Sequence, residues 1–343
     1  MTFRRRLTIS LLATLQIVYI LLSSLNLNVV QPFISRQEFN LLKNSKCAYL
    51  TPDGSCFDLW VAEHVDDSIT QEIGRIFIIV SHCLQDLDWL HDYVTSFNIY
   101  RIDIISKCNK PVTGAPISAK IVKIKNVGRC DHSYAYWMST IKEHVSLQSN
   151  DVAVFLKDDM STSNIHQISS GWQSFQSLVS LAAKSGFSCG LRPTSFVNGS
   201  LSAFHETVHL MSFSNHEYNH NHLKYKIETD FFPPFKSQYP TMKEWISSIG
   251  NISLFPENVT QVCYGGVFAT KLKQIFHHND NLWQNIVDTL SRGNNIEEGH
   301  FVERSWAALL AKPLSFEDQE RLWMHSSYVL QWYGAYMGTL VST

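Results

Sequence analysis

The distribution of apolar residues from residue 75 onward predicts an alternation of strands and helices. Arg75–His82 is a short apolar run typical of a buried strand, and an amphipathic helical pattern follows it. Strands are then predicted at Arg101–Ser106, Lys120–Lys125 and Asp151–Leu156, with helices around Trp89–Phe97 and over Tyr134–Val145. We therefore predict an α/β fold with a mostly parallel sheet that helices cover on both faces.

Polar side chains follow several of these strands. In sheets of this kind ligands bind beyond the carboxyl ends of the strands, so the loops at those ends are the expected place for a functional site. Four loops carry suitable residues: Gln85-Asp86, Asn126–Arg129, Lys157–Asp159 and Tyr264–Gly266.

A different pattern opens the chain. Leu7–Leu27 contains no charged residue, and about 20 apolar residues cross a bilayer core. Arg4–Arg6 stand directly before it, so the expected orientation is type II, with the C-terminus translocated. A cleavable signal peptide is the competing interpretation, although its apolar region is usually only about 7–15 residues long. The predicted organisation is a cytoplasmic tail (1–6), a transmembrane anchor (7–27), a stem (28–72) and a luminal domain (73–343) with two halves, 73–195 and 196–343.

Glycosylation sequons and cysteines fit a luminal domain. Asn198, Asn251 and Asn258 each begin an Asn-x-Ser/Thr sequon, which is used only on the luminal side. The chain has seven cysteines, so at least one stays unpaired if all bridges are internal. Cys47 and Cys56, on either side of a Pro-Asp-Gly turn, are the best candidates for a bridge.

The charge balance excludes one class of partner. The chain has 28 basic and 30 acidic residues and no basic block beyond the N-terminus. It therefore has no electrostatic footprint for nucleic acid.

Several motifs, in order, resemble an uncharacterised eukaryotic family of glycosyltransferase-like proteins, the domain-of-unknown-function family 3431. The resemblance spans roughly residues 75 to 311, and its most specific parts are the Asn-Val-Gly-Arg and Glu-x-x-Trp blocks. The matching segments are Asp86–Leu90, Asn126–Arg129 with His132 and Tyr134, Val154–Leu156 with Asp159, Cys263–Gly265 with Phe268-Ala269, and Glu303–Trp306.

The resemblance implies a GT-A-like fold that binds a nucleotide sugar. In such folds an Asp-x-Asp motif at a strand end holds Mn²⁺ or Mg²⁺ against the donor diphosphate, and the metal neutralises the leaving group. Here Lys157 replaces the first Asp, which leaves Asp158 and Asp159 as donor-binding candidates. On this hypothesis Asp159 binds the metal or the donor. On the alternative it is only a carboxylate in the turn at the end of the strand. Because Lys157 could itself offset phosphate charge, the use of a divalent metal is in doubt.

The first two loops supply further donor-binding candidates. Arg129 could contact phosphate with its planar guanidinium while Gly128 permits close backbone approach, with Asn126 beside them. A salt bridge from Arg129 to Asp131 is an equal alternative. Asp86 could accept a hydrogen bond from a base or ribose, or it could cap the following helix.

Later residues are candidates for acceptor chemistry. If a helix runs from about Gly299, Glu303 and Trp306 share one face, with Glu303 as general base and Trp306 stacked on a sugar. His300 is a candidate metal ligand, although His300 and Glu303 could simply flank a helix that buries Trp306. The remaining acceptor-binding candidates are Tyr264, Gly265 and Gly266.

A rival motif lies between these halves. His205-Glu206-Thr207-Val208-His209 matches the zinc-binding His-Glu-x-x-His helix of metalloproteases, and its apolar neighbours have helical spacing. The longer metzincin pattern fails, because Ser212 and Asn215 stand where Gly and the third His belong.

The function predicted from these patterns is that of a type II membrane glycosyltransferase of the Golgi or endoplasmic reticulum. Its partners would be a nucleotide sugar, a glycan or glycoprotein acceptor and the membrane. A catalytically inactive relative that binds glycans or scaffolds an enzyme complex is the main alternative, and a zinc protease is the third.

Overall fold

The computed structural model of the chain describes residues 73–146, 148–160, 172–191, 204–214, 235–250, 255–312 and 315–316. The predicted tail, anchor and stem lie outside these ranges. So do Cys47, Cys56 and the sequon residues Asn198 and Asn251.

The core of the described domain is a six-stranded sheet with the strand order β3-β2-β1-β4-β8-β5. Its first four members run parallel to one another, whereas β8 runs antiparallel to both β4 and β5. A separate antiparallel pair consists of β6 and β7. The strands are β1 (Ile76–His82), β2 (Ile99–Ser106), β3 (Lys120–Lys123), β4 (Val152–Lys157), β5 (Phe187–Cys189), β6 (Phe204–Glu206), β7 (Val259–Gln261) and β8 (Phe268–Lys271).

Helices connect the strands and cover the sheet. They are α1 (Leu90–Ser96), α2 (Arg129–Thr140), α3 (Phe175–Ser185), α4 (Thr207–Met211), α5 (Met242–Ile249), α6 (Leu272–His277), α7 (Asp280–Leu290), α8 (Glu297–Glu303) and α9 (Trp306–Leu310). A 3-10 turn at Ile141–Glu143 follows α2 directly.

The sheet separates two apolar layers, because alternate side chains of a strand point to opposite faces. On β1, Phe77 and Ile79 pack with α2, α5 and α7, whereas Ile78 and Val80 pack with α1 and α3. All seven residues of β1 are buried. The prediction of a mostly parallel sheet covered on both faces is therefore confirmed.

The strands and helices predicted between residues 75 and 157 are all present, and one helix is displaced. The helix predicted over Tyr134–Val145 begins instead at Arg129 and ends at Thr140, where the 3-10 turn follows. The intervening residues Asp131, His132 and Ser133 are polar but buried, so the apolar pattern starts too late to reveal them. The second half of the domain contributes β8, which lies between β4 and β5 of the first half, so both halves share one sheet.

The described ranges contain two disulfides. Cys83 follows β1 and bonds to Cys108 after β2, and Cys189 of β5 bonds to Cys263. Among the described cysteines, Cys130 has a free thiol.

Candidate functional site

The strand order reverses between β1 and β4, which creates a crevice at their carboxyl ends. From β1 the chain proceeds outward to β2 and β3 and then returns to β4 on the other side of β1. Such a switch point is the usual ligand-binding place in an open α/β sheet. Three of the four loops singled out from the sequence follow β1, β3 and β4, and the fourth directly precedes β8.

Asp158 holds the loop after β1 against the end of β4. Its Oδ2 atom accepts hydrogen bonds from the backbone N–H groups of Cys83 (2.7 Å), Leu84 (2.8 Å) and Gln85 (3.1 Å). Its own N–H donates to the carbonyl oxygen of Ser81 at 3.1 Å. One carboxylate oxygen of this predicted donor-binding residue is thus already occupied by three donors.

Lys157 and Asp159 stand on either side of it. The Nζ atom of Lys157 lies 3.6 Å from Oδ2 of Asp159, and their side chains are 30% and 57% exposed. This ion pair places a cation where the resemblance implies the first metal-binding carboxylate.

The loop Val127-Gly128-Arg129 is fixed by a buried lysine, Lys107, which is not among the residues predicted from the sequence. Lys107 is 4% exposed, and its Nζ atom donates to the carbonyl oxygens of Val127 and Arg129. Burial lowers the pKa of Lys107 to about 8. Gly128 and Arg129 both have positive φ values, 57° and 51°, at the start of α2. Arg129 is exposed, and its stem lies beside Gly299 of α8, where an added Cβ would be 4.0 Å from Arg129 Cδ.

The tight surroundings of Gly128 indicate a packing role for this predicted donor-binding residue. A Cβ here would lie 2.7 Å from the Cβ atoms of His132 and Leu290 and 2.9 Å from the carbonyl oxygen of Leu290. We expect Gly128→Ala to lower the free energy of unfolding by about 2 kcal/mol or more, from strain at positive φ plus overlap. Denaturant unfolding measures this change.

Gly250 is a matched control, because its φ is 90° and a Cβ there would meet nothing within 4 Å. Gly250→Ala should therefore cost only about 1–2 kcal/mol. If the two alanine variants were equally stable and Gly128→Ala lost only nucleotide binding, Gly128 would be a ligand-contact residue instead.

A buried acid lies directly behind this loop. Asp131 is 4% exposed, and its Oδ1 atom accepts a hydrogen bond from Trp306 Nε1 at 2.8 Å. Burial, and then the neighbouring Glu303 carboxylate, raise the pKa of Asp131 to about 6, although the Trp306 donor opposes the shift. Cys130 Sγ lies 3.8 Å from Asp131 Oδ2, and burial raises the pKa of this thiol.

Gly265 and Gly266 connect Glu303 and Lys157 at the carboxyl edge of the sheet. The N–H of Gly265 donates to Glu303 Oε1 at 3.0 Å, and Tyr134 donates its hydroxyl proton to the Gly266 carbonyl at 2.8 Å. A Cβ on Gly266 would be 2.8 Å from Cys130 Sγ and 3.9 Å from Lys157 Cδ. Lys157, Cys130, Gly266 and Glu303 therefore form one connected cluster, which we call the switch-point cluster, with Arg129 next to Cys130 in the chain.

The structure corrects the predicted geometry of the Glu-x-x-Trp block. The expected single helix breaks, because α8 ends at Glu303 and α9 begins at Trp306. Trp306 is 0% exposed, and its ring packs against Phe268 at 5.3 Å between centroids. The alternative in which these residues bury Trp306 thus matches the structure, since a fully buried ring offers no face to a sugar. His300 is 8% exposed, with its ring 5.8 Å from that of Phe235.

The helix predicted for the His-Glu-x-x-His motif is also wrong. His205 and Glu206 lie in strand β6, and α4 begins only at Thr207. His205 Nε2 is 3.1 Å from the Tyr264 hydroxyl, and His209 Nδ1 is 3.2 Å from Glu206 Oε2. The motif therefore lacks the geometry in which two histidines project from one helix turn to bind zinc.

The remaining predicted residues lie at the periphery. Asp86 Oδ1 accepts from the Asp88 N–H at 2.8 Å, which forms a turn before α1, whose N-cap is Trp89. A hydrogen bond from Thr113 is the main cause that lowers the pKa of Asp86. Asn126 is exposed, and Asn258 is half-buried just before β7.

The described ranges lack two features that were expected from the sequence. In the part of the chain that the structure describes, no helix is long and apolar enough to cross a membrane. Within the same ranges, no three His, Cys, Asp or Glu side chains lie together as a metal-binding group.

No protein-family model, curated protein or solved structure matches this chain. The resemblance drawn from the sequence motifs stays a prediction.

Proposed function

We propose that this chain is a type II membrane glycosyltransferase of the Golgi or endoplasmic reticulum, which transfers a sugar from a nucleotide-sugar donor to a luminal acceptor. The observation that carries the proposal is the switch-point cluster. It brings cationic side chains and a half-buried carboxylate to the place where open α/β sheets bind nucleotides.

The donor diphosphate fits the cationic side of this cluster. Lys157 stands at the end of the central strand β4, and Arg129 lies exposed at the start of α2. As the glycosyl bond breaks, its electron pair leaves with the diphosphate, so nearby positive charge lowers the barrier.

In the proposed reaction Glu303 serves the acceptor. Its side chain is 22% exposed, and the Gly265 N–H holds its Oε1 atom, which fixes the direction of the carboxylate. In the transfer, the acceptor hydroxyl oxygen forms a bond to the anomeric carbon and gives its proton to Glu303.

The disulfides support a luminal location. Cys83–Cys108 and Cys189–Cys263 are the kind of structural bridge that persists in an oxidising compartment and is rare in the cytosol. This agrees with the type II orientation inferred from Arg4–Arg6 and Leu7–Leu27.

Glu303→Gln is the sharpest test of the chemistry, because a glutamine oxygen can still accept from the Gly265 N–H. We expect donor binding to be kept and kcat to fall by about 100-fold or more, the usual contribution of a general base. The assay is sugar transfer or donor hydrolysis by the full-length protein in detergent, after a thermal-shift panel of nucleotide sugars has identified the donor.

Asp92→Asn is the matched control, since Asp92 is an exposed carboxylate on α1, on the opposite side of the sheet. It should leave kcat unchanged. If no nucleotide sugar shifts the melting temperature and immobilised glycans are bound instead, the glycan-binding alternative replaces the enzyme.

A further inference from the structure

The loop after β4 has the wrong chemistry for the divalent metal that the GT-A resemblance implies. Mn²⁺ and Mg²⁺ take hard oxygen ligands, usually from carboxylates that face the ion together. At this loop the first of the three positions is a lysine, and the other two carboxylates are both engaged.

The Asp158 carboxylate is hydrogen-bonded to the backbone. Its Oδ2 atom accepts from three consecutive N–H groups, those of Cys83, Leu84 and Gln85. A metal ion at this oxygen would face the positive ends of those N–H groups and would displace their hydrogen bonds. The disulfide Cys83–Cys108 holds the same loop in place. Asp158 therefore acts as an anchor for the loop after β1.

Asp159 is paired with a cation. Lys157 Nζ lies 3.6 Å from Asp159 Oδ2, so a divalent ion on that carboxylate would lie within a few ångströms of the ammonium group. The two positive charges would repel one another, and more strongly beside a protein than in bulk water. The ion pair thus opposes metal binding at Asp159, the other carboxylate of this loop.

Lys157 itself is well placed to contact phosphate. It ends β4, which pairs with both β1 and β8, so its backbone position is rigid. Its stem passes Gly266, and Gly266 is adjacent to Cys130, the residue after Arg129. The positive charges of Lys157 and Arg129 both oppose the rise in the pKa of the Cys130 thiol, so both cations lie near that side chain.

We propose that Lys157, assisted by Arg129, binds the donor diphosphate directly and that donor binding requires no divalent cation. This inference rests on the proposed function, because it concerns how the same site holds its donor. It extends that function by assigning to a lysine side chain the positive charge that a bound metal ion would otherwise supply.

The test measures the affinity of UDP, GDP and ADP for the full-length protein by isothermal titration, in EDTA and in Mn²⁺. For the nucleotide that binds, the expected Kd is the same in both buffers. Lys157→Ala should raise Kd about 10- to 100-fold in EDTA, the usual worth of a charge-assisted hydrogen bond. Lys123→Ala is the matched control, since Lys123 is an exposed lysine at the carboxyl end of β3 and should leave Kd unchanged.

Two further variants separate a lysine site from a metal site. Lys157→Asp restores an acidic residue at the first position, so its binding in EDTA should be lost and Mn²⁺ should recover it. Asp159→Ala removes the anion that competes for Lys157, so its Kd in EDTA should be unchanged or lower. Melting temperatures of both variants near that of the wild type exclude misfolding as the cause.

The outcomes distinguish the two proposals. If the wild type binds a nucleoside diphosphate only with Mn²⁺ and Asp159→Ala abolishes that binding, the proposed function stands and the metal-free inference is wrong. If no nucleoside diphosphate binds in either buffer, the proposed function fails and the inference fails with it.

Discussion

Removal of the Cys189–Cys263 disulfide is expected to lower the free energy of unfolding by about 4 kcal/mol, because the bond closes a loop of 74 residues in the unfolded chain. Both cysteines are buried in the core, so alanine is the appropriate replacement for each. The bond connects the three-residue edge strand β5 to the segment that leads into Gly265. Guanidinium unfolding of the double alanine variant under non-reducing conditions measures the loss.

Two comparisons make this result specific. The pair Cys83→Ala and Cys108→Ala opens a loop of only 25 residues and should cost about 1 kcal/mol less. Cys130→Ala removes a free thiol and should cost about 1 kcal/mol, as for a small truncation at a half-buried position. Equal stability of the wild type and the Cys189/Cys263 variant would show that this bond does not form in the mature protein, and would remove its support for a luminal location.

The sheet was predictable from sequence because its strands are buried on both faces. Residues 76–82 and 152–157 form nearly continuous apolar runs, and only a central parallel strand needs such a pattern. The antiparallel insertion of β8 could not be predicted, since four residues, Phe268–Lys271, carry no signal about which strands they pair with. Strand pairing is a long-range property that the local pattern does not contain.

The sequence predicted the location of the candidate site but only some of its residues. Loops at strand ends identified Arg129, Lys157 and Gly265, and the Glu-x-x-Trp block identified Glu303, because both signals are visible in the sequence. Buried polar residues were missed: Lys107 and Asp131 lie where a local pattern predicts solvent-exposed charges. A lysine directly after an apolar strand was the available signal for Lys107.

The His-Glu-x-x-His segment shows how tertiary contacts overrule a local pattern. Its apolar spacing favours a helix throughout, yet Phe204–Glu206 pairs with Val259–Gln261 in a short sheet. The Thr207 side chain then meets that of Thr260 at 2.8 Å, and the helix starts only there. A five-residue motif carries no information about a strand partner more than 50 residues away.

Two neighbouring buried residues of α2, Asp131 and His132, are expected to give opposite pH dependences of stability. Burial and the Glu303 carboxylate raise the pKa of Asp131 to about 6. The stability that its protonated form contributes is therefore lost as pH rises from about 4 to about 6. Burial, and then the Lys107 cation, lower the pKa of His132 to about 4, so stability is gained as pH rises from about 4 to about 6.5. Each effect is about 3 kcal/mol, and they largely cancel in the wild type.

Single substitutions should reveal each half of this balance. Asp131→Asn keeps an oxygen acceptor for Trp306 and removes the titration, so its stability relative to the wild type should rise by about 3 kcal/mol between pH 4 and pH 7. His132→Gln should show the reverse, a relative fall of about 3 kcal/mol over the same range. Urea unfolding at half-unit pH steps provides both difference curves.

Met138→Leu is the control for this experiment, because Met138 is a fully buried residue of the same helix without a titratable group. Its difference from the wild type should be constant with pH. Flat curves for both polar variants would mean that neither pKa changes on folding, and two curves of the same sign would mean that one of the two pKa shifts has the opposite direction. Opposite slopes would instead establish that a neutral histidine and an acid with a raised pKa lie side by side in the protein interior. Both belong to the first turn of α2, which also carries Arg129 of the switch-point cluster.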